Sequence, residues 1–225
     1  MNIGADQLQS AISYLIAFIL SIAVHEFGHA WVANRLGDPT PRLQGRLTLA
    51  PQHHIDPIGT ILMPLIMAFT SAPLLAWGRP VQINPAAFTR RFSMSTGRML
   101  VAIAGPLMNL VMALLVSVII IVAARLGAPD HLLYAAFHYL VQLNLSLMIF
   151  NLLPIPPLDG GSVLAWLLPR SMHNLVDFLA RYGGIMLMLL VLSPSLGLPG
   201  MNVIAYPIRV ITAYWLLGLN LAVGS

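Results

Sequence analysis

The chain has 225 residues, 58 % of them hydrophobic and only 8 % charged, with a mean hydropathy of +0.84. A soluble core of this length does not carry so little polar surface, so a soluble domain is excluded and an all-α polytopic membrane protein is expected. All 11 basic residues are arginine, and the pI near 10.0 reports loop arginines beside anionic lipid rather than nucleic-acid binding. Cysteine is absent, which excludes disulfides and thiolate metal sites; any metal must use His, Asp, Glu or water.

Met1–Gln9 is a short polar lead without the basic region and small-residue cleavage site of a signal peptide, so Ile12–Asn34 is expected to be a retained span. Inside it lies His25-Glu26-Phe27-Gly28-His29, which holds the only glutamate of the chain. Residues four apart share a helix face, so both imidazoles can reach one metal ion, with Glu26 beside the first and within reach of a water on that ion. With 7 histidines and one glutamate, chance gives this pattern in roughly one chain in a thousand. It is the spacing of a zinc hydrolase with a carboxylate general base. His25 falls roughly 20 Å into a hydrocarbon core about 30 Å thick, where ionisable groups are functional by default.

Gly37-Asp38-Pro39 ends the span. Thr40–Asp56 reads as an interfacial segment carrying Arg42, Arg46, His53 and His54, and the weak alternation of Gly45–Leu49 suggests an edge strand or hairpin. Pro57–Trp77 is apolar but interrupted by Pro57, Pro64 and Pro73. After the polar stretch Gly78–Gly97, spans are expected at Met99–Ala124 and Leu132–Leu153, the second stopped by Pro154, Pro156 and Pro157. Leu158-Asp159-Gly160-Gly161 follows, then a connection through Arg170 and Arg181, and final spans near Tyr182–Leu198 and Val203–Leu221. No internal repeat or linker divides the chain. A single domain over 1–225 is expected, with the motif-bearing core at about 12–166 and C-terminal helices at about 182–221.

Two histidines need a third protein ligand for a catalytic zinc site. Among the aspartates, Asp159 stands out because it follows a proline-broken helix end and precedes two glycines, and broken helices are tolerated in membranes where they line a cavity. To reach the histidines, the span before Asp159 must run in the same direction as the first. Pro57–Trp77 must then dip in and return, or pass twice as a hairpin, rather than cross once. Under that topology Arg35, Arg42, Arg46, Arg79, Arg90, Arg91, Arg98, Arg170 and Arg181 share one side and Arg125 alone lies on the other, which satisfies the positive-inside rule and turns the site to the cytoplasm. The expected architecture is about five to six transmembrane helices with a re-entrant segment at 57–77.

Three stretches together resemble the site-2 protease family of intramembrane zinc metalloproteases. They are His25-Glu26-Phe27-Gly28-His29, Ala104-Gly105-Pro106-Leu107-Met108-Asn109 and Asn151-Leu152-Leu153-Pro154-Ile155-Pro156-Pro157-Leu158-Asp159-Gly160, and the likeness runs from about Ile12 to Trp166. The resemblance implies one Zn2+ per chain on His25, His29 and Asp159, with Glu26 activating water. It also implies cleavage in or near the transmembrane helix of a single-span membrane-protein substrate, as in regulated intramembrane proteolysis. By position it implies that Asn109 contacts substrate or oxyanion, and it aligns Asn151 with the start of the third motif. The PDZ and CBS modules of larger relatives are not expected, which describes a compact member of the cell (inner) membrane.

Asn109 can instead bridge helices through its amide. His53 and His54 are either accessory ligands and proton carriers, with His54 placed on the substrate side, or interfacial side chains. A metal-ion carrier and a catalytically silent helix-binding module are the competing functions; one donor cluster beside a dedicated base favours hydrolysis over both. The expected partners are a membrane-protein substrate and the bilayer, with no nucleic acid; the oligomeric state is not specified.

Overall fold

The computed structural model describes residues 5–64, 66, 76–127, 131–193, 197 and 200–223. Long apolar runs give the principal helices, and local chemistry sets their ends. α1 (Ala5–Arg35) stops where Gly37 takes φ 105°, a left-handed conformation that glycine adopts without penalty. Gly37 N–H then donates to Asn34 O at 3.1 Å and Asp38 N–H to Ala33 O at 3.1 Å, closing the last turn. α2 (Met94–Arg125) starts at Ser93, whose hydroxyl accepts from Thr96 N–H at 3.1 Å. α3 (His131–Asn151), α4 (Asp159–Leu167), α5 (His173–Leu192) and α6 (Gly200–Val223) follow.

α1, α2 and α3 pack on one another around Phe18, Ile22, Ala113, Val116, Ile120, Val141 and Leu145. α4 packs against α2, α6 against α3 and α2, and α5 is held mainly by α4 and α6. The stretches Ala11–Arg35, Met94–Arg125, His173–Leu192 and Ala205–Val223 are long and apolar enough to cross a bilayer. α3, at 21 residues, also has spanning length but carries Gln142, Asn144 and Asn151. On α2, Leu115 and Val118 are each 57 % exposed, as expected of side chains whose solvent is lipid. The chain is an integral membrane protein, all-α among the described residues.

Four details differ from the sequence expectation. Gly45–Leu49 forms no strand: Arg46 N–H donates to Pro41 O at 2.8 Å and the Thr48 carbonyl is taken by the His54 ring at 2.8 Å, so local bonds consume the groups an edge strand would offer. The connection expected after Asp159 contains a helix, α4. The C-terminal helices begin earlier, at His173 and Gly200, because the polar first turns of α5 are helical without being hydrophobic. Arg181 consequently sits within α5 rather than in a loop.

The ends of segment 57–77 meet. Asp56 caps the wide helical turn Pro57–Leu62, accepting from Ile58 N–H at 3.0 Å and Gly59 N–H at 2.7 Å. Trp77 returns to that turn: its N–H donates to Gly59 O at 3.3 Å, and its carbonyl accepts from the Thr60 hydroxyl at 2.8 Å. A single crossing would separate the ends by about 30 Å. Both ends therefore lie on one side, while 65 and 67–75 between them lie outside the described residues.

Candidate metal centre

One turn of α1 sets the His25 and His29 rings edge to face, with centroids 4.6 Å apart and planes at 86°. Asp159, the first residue of α4, meets both rings after the loop that breaks at Pro154–Pro157. The two Nε2 atoms are 3.0 Å apart, and Asp159 Oδ2 lies 3.2 Å from that of His25 and 3.4 Å from that of His29.

The far side of each ring fixes its tautomer. His29 Nδ1–H donates to Val101 O at 2.7 Å. Asn109 spends its amide nitrogen on Ser21 O at 3.1 Å and Asn144 Oδ1 at 2.8 Å, which leaves Asn109 Oδ1 to accept from His25 Nδ1–H at 2.6 Å. Both Nε2 atoms then present lone pairs to each other and to Asp159 Oδ2, a buried oxygen with no hydrogen-bond donor. Three lone-pair donors converging without a proton repel one another unless a cation lies among them. The group therefore fits a divalent metal with nitrogen and oxygen ligands, each imidazole oriented by its outer hydrogen bond.

Two glycines make room for this arrangement. A Cβ on Gly28 would stand 2.6 Å from Ala104 O and 2.8 Å from Met108 Cγ, so its absence lets α1 approach α2. A Cβ on Gly105 would stand 2.7 Å from His25 Cε1 and would also collide with the His29 ring. Behind Asn109 the polar chain continues, with Asn144 Nδ2 donating to Ser21 Oγ and to Leu140 O, each at 2.8 Å, and Ser21 Oγ donating to Ala17 O at 2.7 Å. Ser21, Asn109 and Asn144 are all fully buried. Sequence reasoning missed Ser21 and Asn144; polar residues inside apolar helices were the available signal.

A cavity of about 1190 Å³ opens beside the donors, with His25, Glu26, His29, Asn151 and Asp159 on its wall and Phe18, Leu143, Leu187 and Val191 among its apolar lining. Glu26 Oε2 accepts from Val81 N–H at 2.9 Å, and Oε1 has no partner among the described residues. Asn151 donates to Leu147 O at 3.0 Å at the end of α3. Asn109 lies behind His25, in the helix-bridging position, and is not on the cavity wall. His54 is likewise buried away from the cavity: its Nε2–H donates to Thr48 O, and burial pushes its pKa below the ordinary 6.5. His53 is exposed and lines a separate polar pocket.

The approach to Glu26 is an extended run, 77–82. In it Trp77, Arg79 and Val81 turn their N–H groups to Gly59 O, His54 O and Glu26. The alternate residues Gly78, Pro80 and Gln82 have no backbone partners among the described residues, and Pro80 can offer only its carbonyl.

The profile of peptidase family M50 matches residues 13–136 and 119–192. Two similar bacterial proteins share the name "Putative zinc metalloprotease". YwhC of Bacillus subtilis is 36 % identical over 191 residues, covering 82 % of this chain and 83 % of that protein. Rip2 of Mycobacterium tuberculosis H37Rv is 32 % identical over 185 residues, covering 81 % and 67 %. No solved structure gives a significant match. The matched stretch runs from within α1 to the end of α5 and takes in every converging donor; the chain belongs to peptidase family M50 and is an integral membrane metalloprotease.

Proposed function

We propose that the chain is a zinc-dependent endopeptidase that hydrolyses a peptide bond in or near the transmembrane helix of a single-span membrane protein, at a site facing the cytoplasm. The observation that supports it is the cavity: three converging donors and a carboxylate share one wall of a large, mostly apolar chamber within a membrane helix bundle. In this reading His25, His29 and Asp159 hold the metal. Bound zinc supplies Lewis acidity, which polarises a peptide carbonyl and makes water acidic enough to lose a proton near neutral pH. Glu26 takes that proton through its free Oε1 and passes it to the leaving amine. Its other oxygen is tethered to Val81, so the carboxylate stays aimed at the chamber. Asn109 acts as a positioning residue through His25 rather than touching substrate.

A peptide bond inside a helix is hydrogen-bonded and shielded, so the substrate must unwind before attack. The N–H groups of Gly78 and Gln82 and the carbonyls of that edge offer backbone partners to such an extended segment, next to the base. Disulfide crosslinking in the inactive Glu26→Gln protein, from Gln82→Cys to successive positions of a reporter helix, tests this. Crosslinks alternating at every second position are expected. A spacing of three to four residues, that of an intact helix, would contradict it.

A further inference from the structure

On the other side of the 77–82 run lies a second cavity, of about 520 Å³. Its lining is chemically one-sided: Arg46 and Arg79, the amides of Gln44, Gln52 and Gln82, and His53, with no acid among them. Arg46 is only 4 % exposed, yet the partners of its guanidinium are neutral carbonyls, those of His53 and of Arg79, the latter at 3.3 Å. Neither arginine forms an ion pair with a carboxylate among the described residues. Asp38 is engaged by Thr40 and Asn84 N–H and Asp56 by Ile58 and Gly59 N–H, while Glu26 lines the other cavity. Burial and the neighbouring Arg79 charge lower the Arg46 pKa, and the Glu26 carboxylate offsets this only in part, so the pocket keeps an excess of positive charge.

We infer that this pocket is a phosphate-binding site at the membrane surface. Two guanidiniums and glutamine N–H groups form the donor set that a phosphate's several oxygens require. Gln44 Nε2 donates to Gln82 Oε1 at 2.8 Å across the site, which leaves the Gln82 amide nitrogen available as a donor. The surroundings favour a lipid head group as the source. Leu43 is 77 % exposed and Leu49 54 % exposed on the same interfacial segment that supplies Gln44, Arg46, Gln52 and His53. Apolar side chains beside a basic polar pocket suit a ligand whose phosphate is joined to acyl chains. The inference does not depend on the chain being a protease.

The full-length protein in detergent, titrated in parallel with short-chain phosphatidylglycerol and with inorganic phosphate, tests it. Phosphatidylglycerol is expected to saturate a site, with affinity lowered about tenfold in Arg79→Gln and more in Arg79→Glu. Both substitutions are at an exposed side chain and spare the Arg46 bonds that brace the loop. Saturation by inorganic phosphate with the same Arg79 dependence, and no lipid binding, would support the phosphate site and overturn the lipid source. Binding of neither probe, or lipid binding indifferent to both variants, would overturn the proposal.

Discussion

Each imidazole of the metal centre has its Nδ1–H committed to a protein acceptor, and that commitment leaves Nε2 free to ligate. Asn109→Ala removes the acceptor of His25 and strands Asn144 Oδ1 and Ser21 O in a buried network. Zinc affinity should fall by about 10–100-fold, read by competition with a chelator; an unchanged affinity would show that the amide does not position the ring. His54 gives a pH prediction. Its folded pKa lies below the unfolded 6.5, chiefly through burial, with Arg46 and His53 opposing the charge and the Thr48 carbonyl and Glu26 favouring it. The stability it contributes is therefore fully present above about pH 6.5 and is lost as the pH falls below that value, where the unfolded chain takes up the proton first. Hydrogen exchange at the Arg79 amide, which donates to the His54 carbonyl, should lose protection between about pH 8 and about pH 5 after correction for intrinsic rates. A His54→Phe protein should not show this loss. The motif residues were legible in the sequence because i and i+4 on a helix is a local rule. Asn144 and Ser21 were not, since their hydrogen bond joins residues 123 positions apart with no periodic mark.

At the scale of helices, α1 and α2 depend on contact at Gly28, while Gly184 in α5 faces open space with nothing within 4 Å of a Cβ. Gly28→Ala should destabilise the protein by about 1–3 kcal/mol in thermal unfolding, and Gly184→Ala should be nearly neutral. Equal effects would contradict the packing described. Hydropathy made α1 and α2 legible because their apolar runs exceed the bilayer thickness. α4 was hidden by its Asp159-Gly160-Gly161 start, which by propensity reads as a loop; packing against α2 supplies what propensity lacks. The first turns of α5 were hidden because His173, Asn174, Asp177 and Arg181 are polar, and a polar helix leaves no trace in a search for apolar spans. The return of segment 57–77 was inferred from arginine bias and the metal geometry; the bonds of Trp77 to Gly59 and Thr60 give it a direct physical basis.

For the whole molecule, composition alone excluded a soluble fold, and four described helices have the length and apolarity to cross a bilayer. The proposed orientation puts the loop after α1 in the cytoplasm and the turn after α2 outside. Because the chain has no cysteine, single introduced thiols report position cleanly. Arg42→Cys should be labelled by an impermeant reagent only from the cytoplasmic face, and Leu126→Cys, at a residue 80 % exposed, only from the opposite face. Labelling of both from one face would overturn this topology. In the proposed function Glu26 is the base of a zinc-dependent intramembrane endopeptidase. The most direct measurement is cleavage of single-span reporter helices in proteoliposomes by wild type and Glu26→Gln, with zinc content determined in both. Both proteins should hold zinc, and the substitution should lower the rate by about 10²–10⁴-fold. Wild-type rates in a zinc-loaded Glu26→Gln protein would rule out Glu26 as the base.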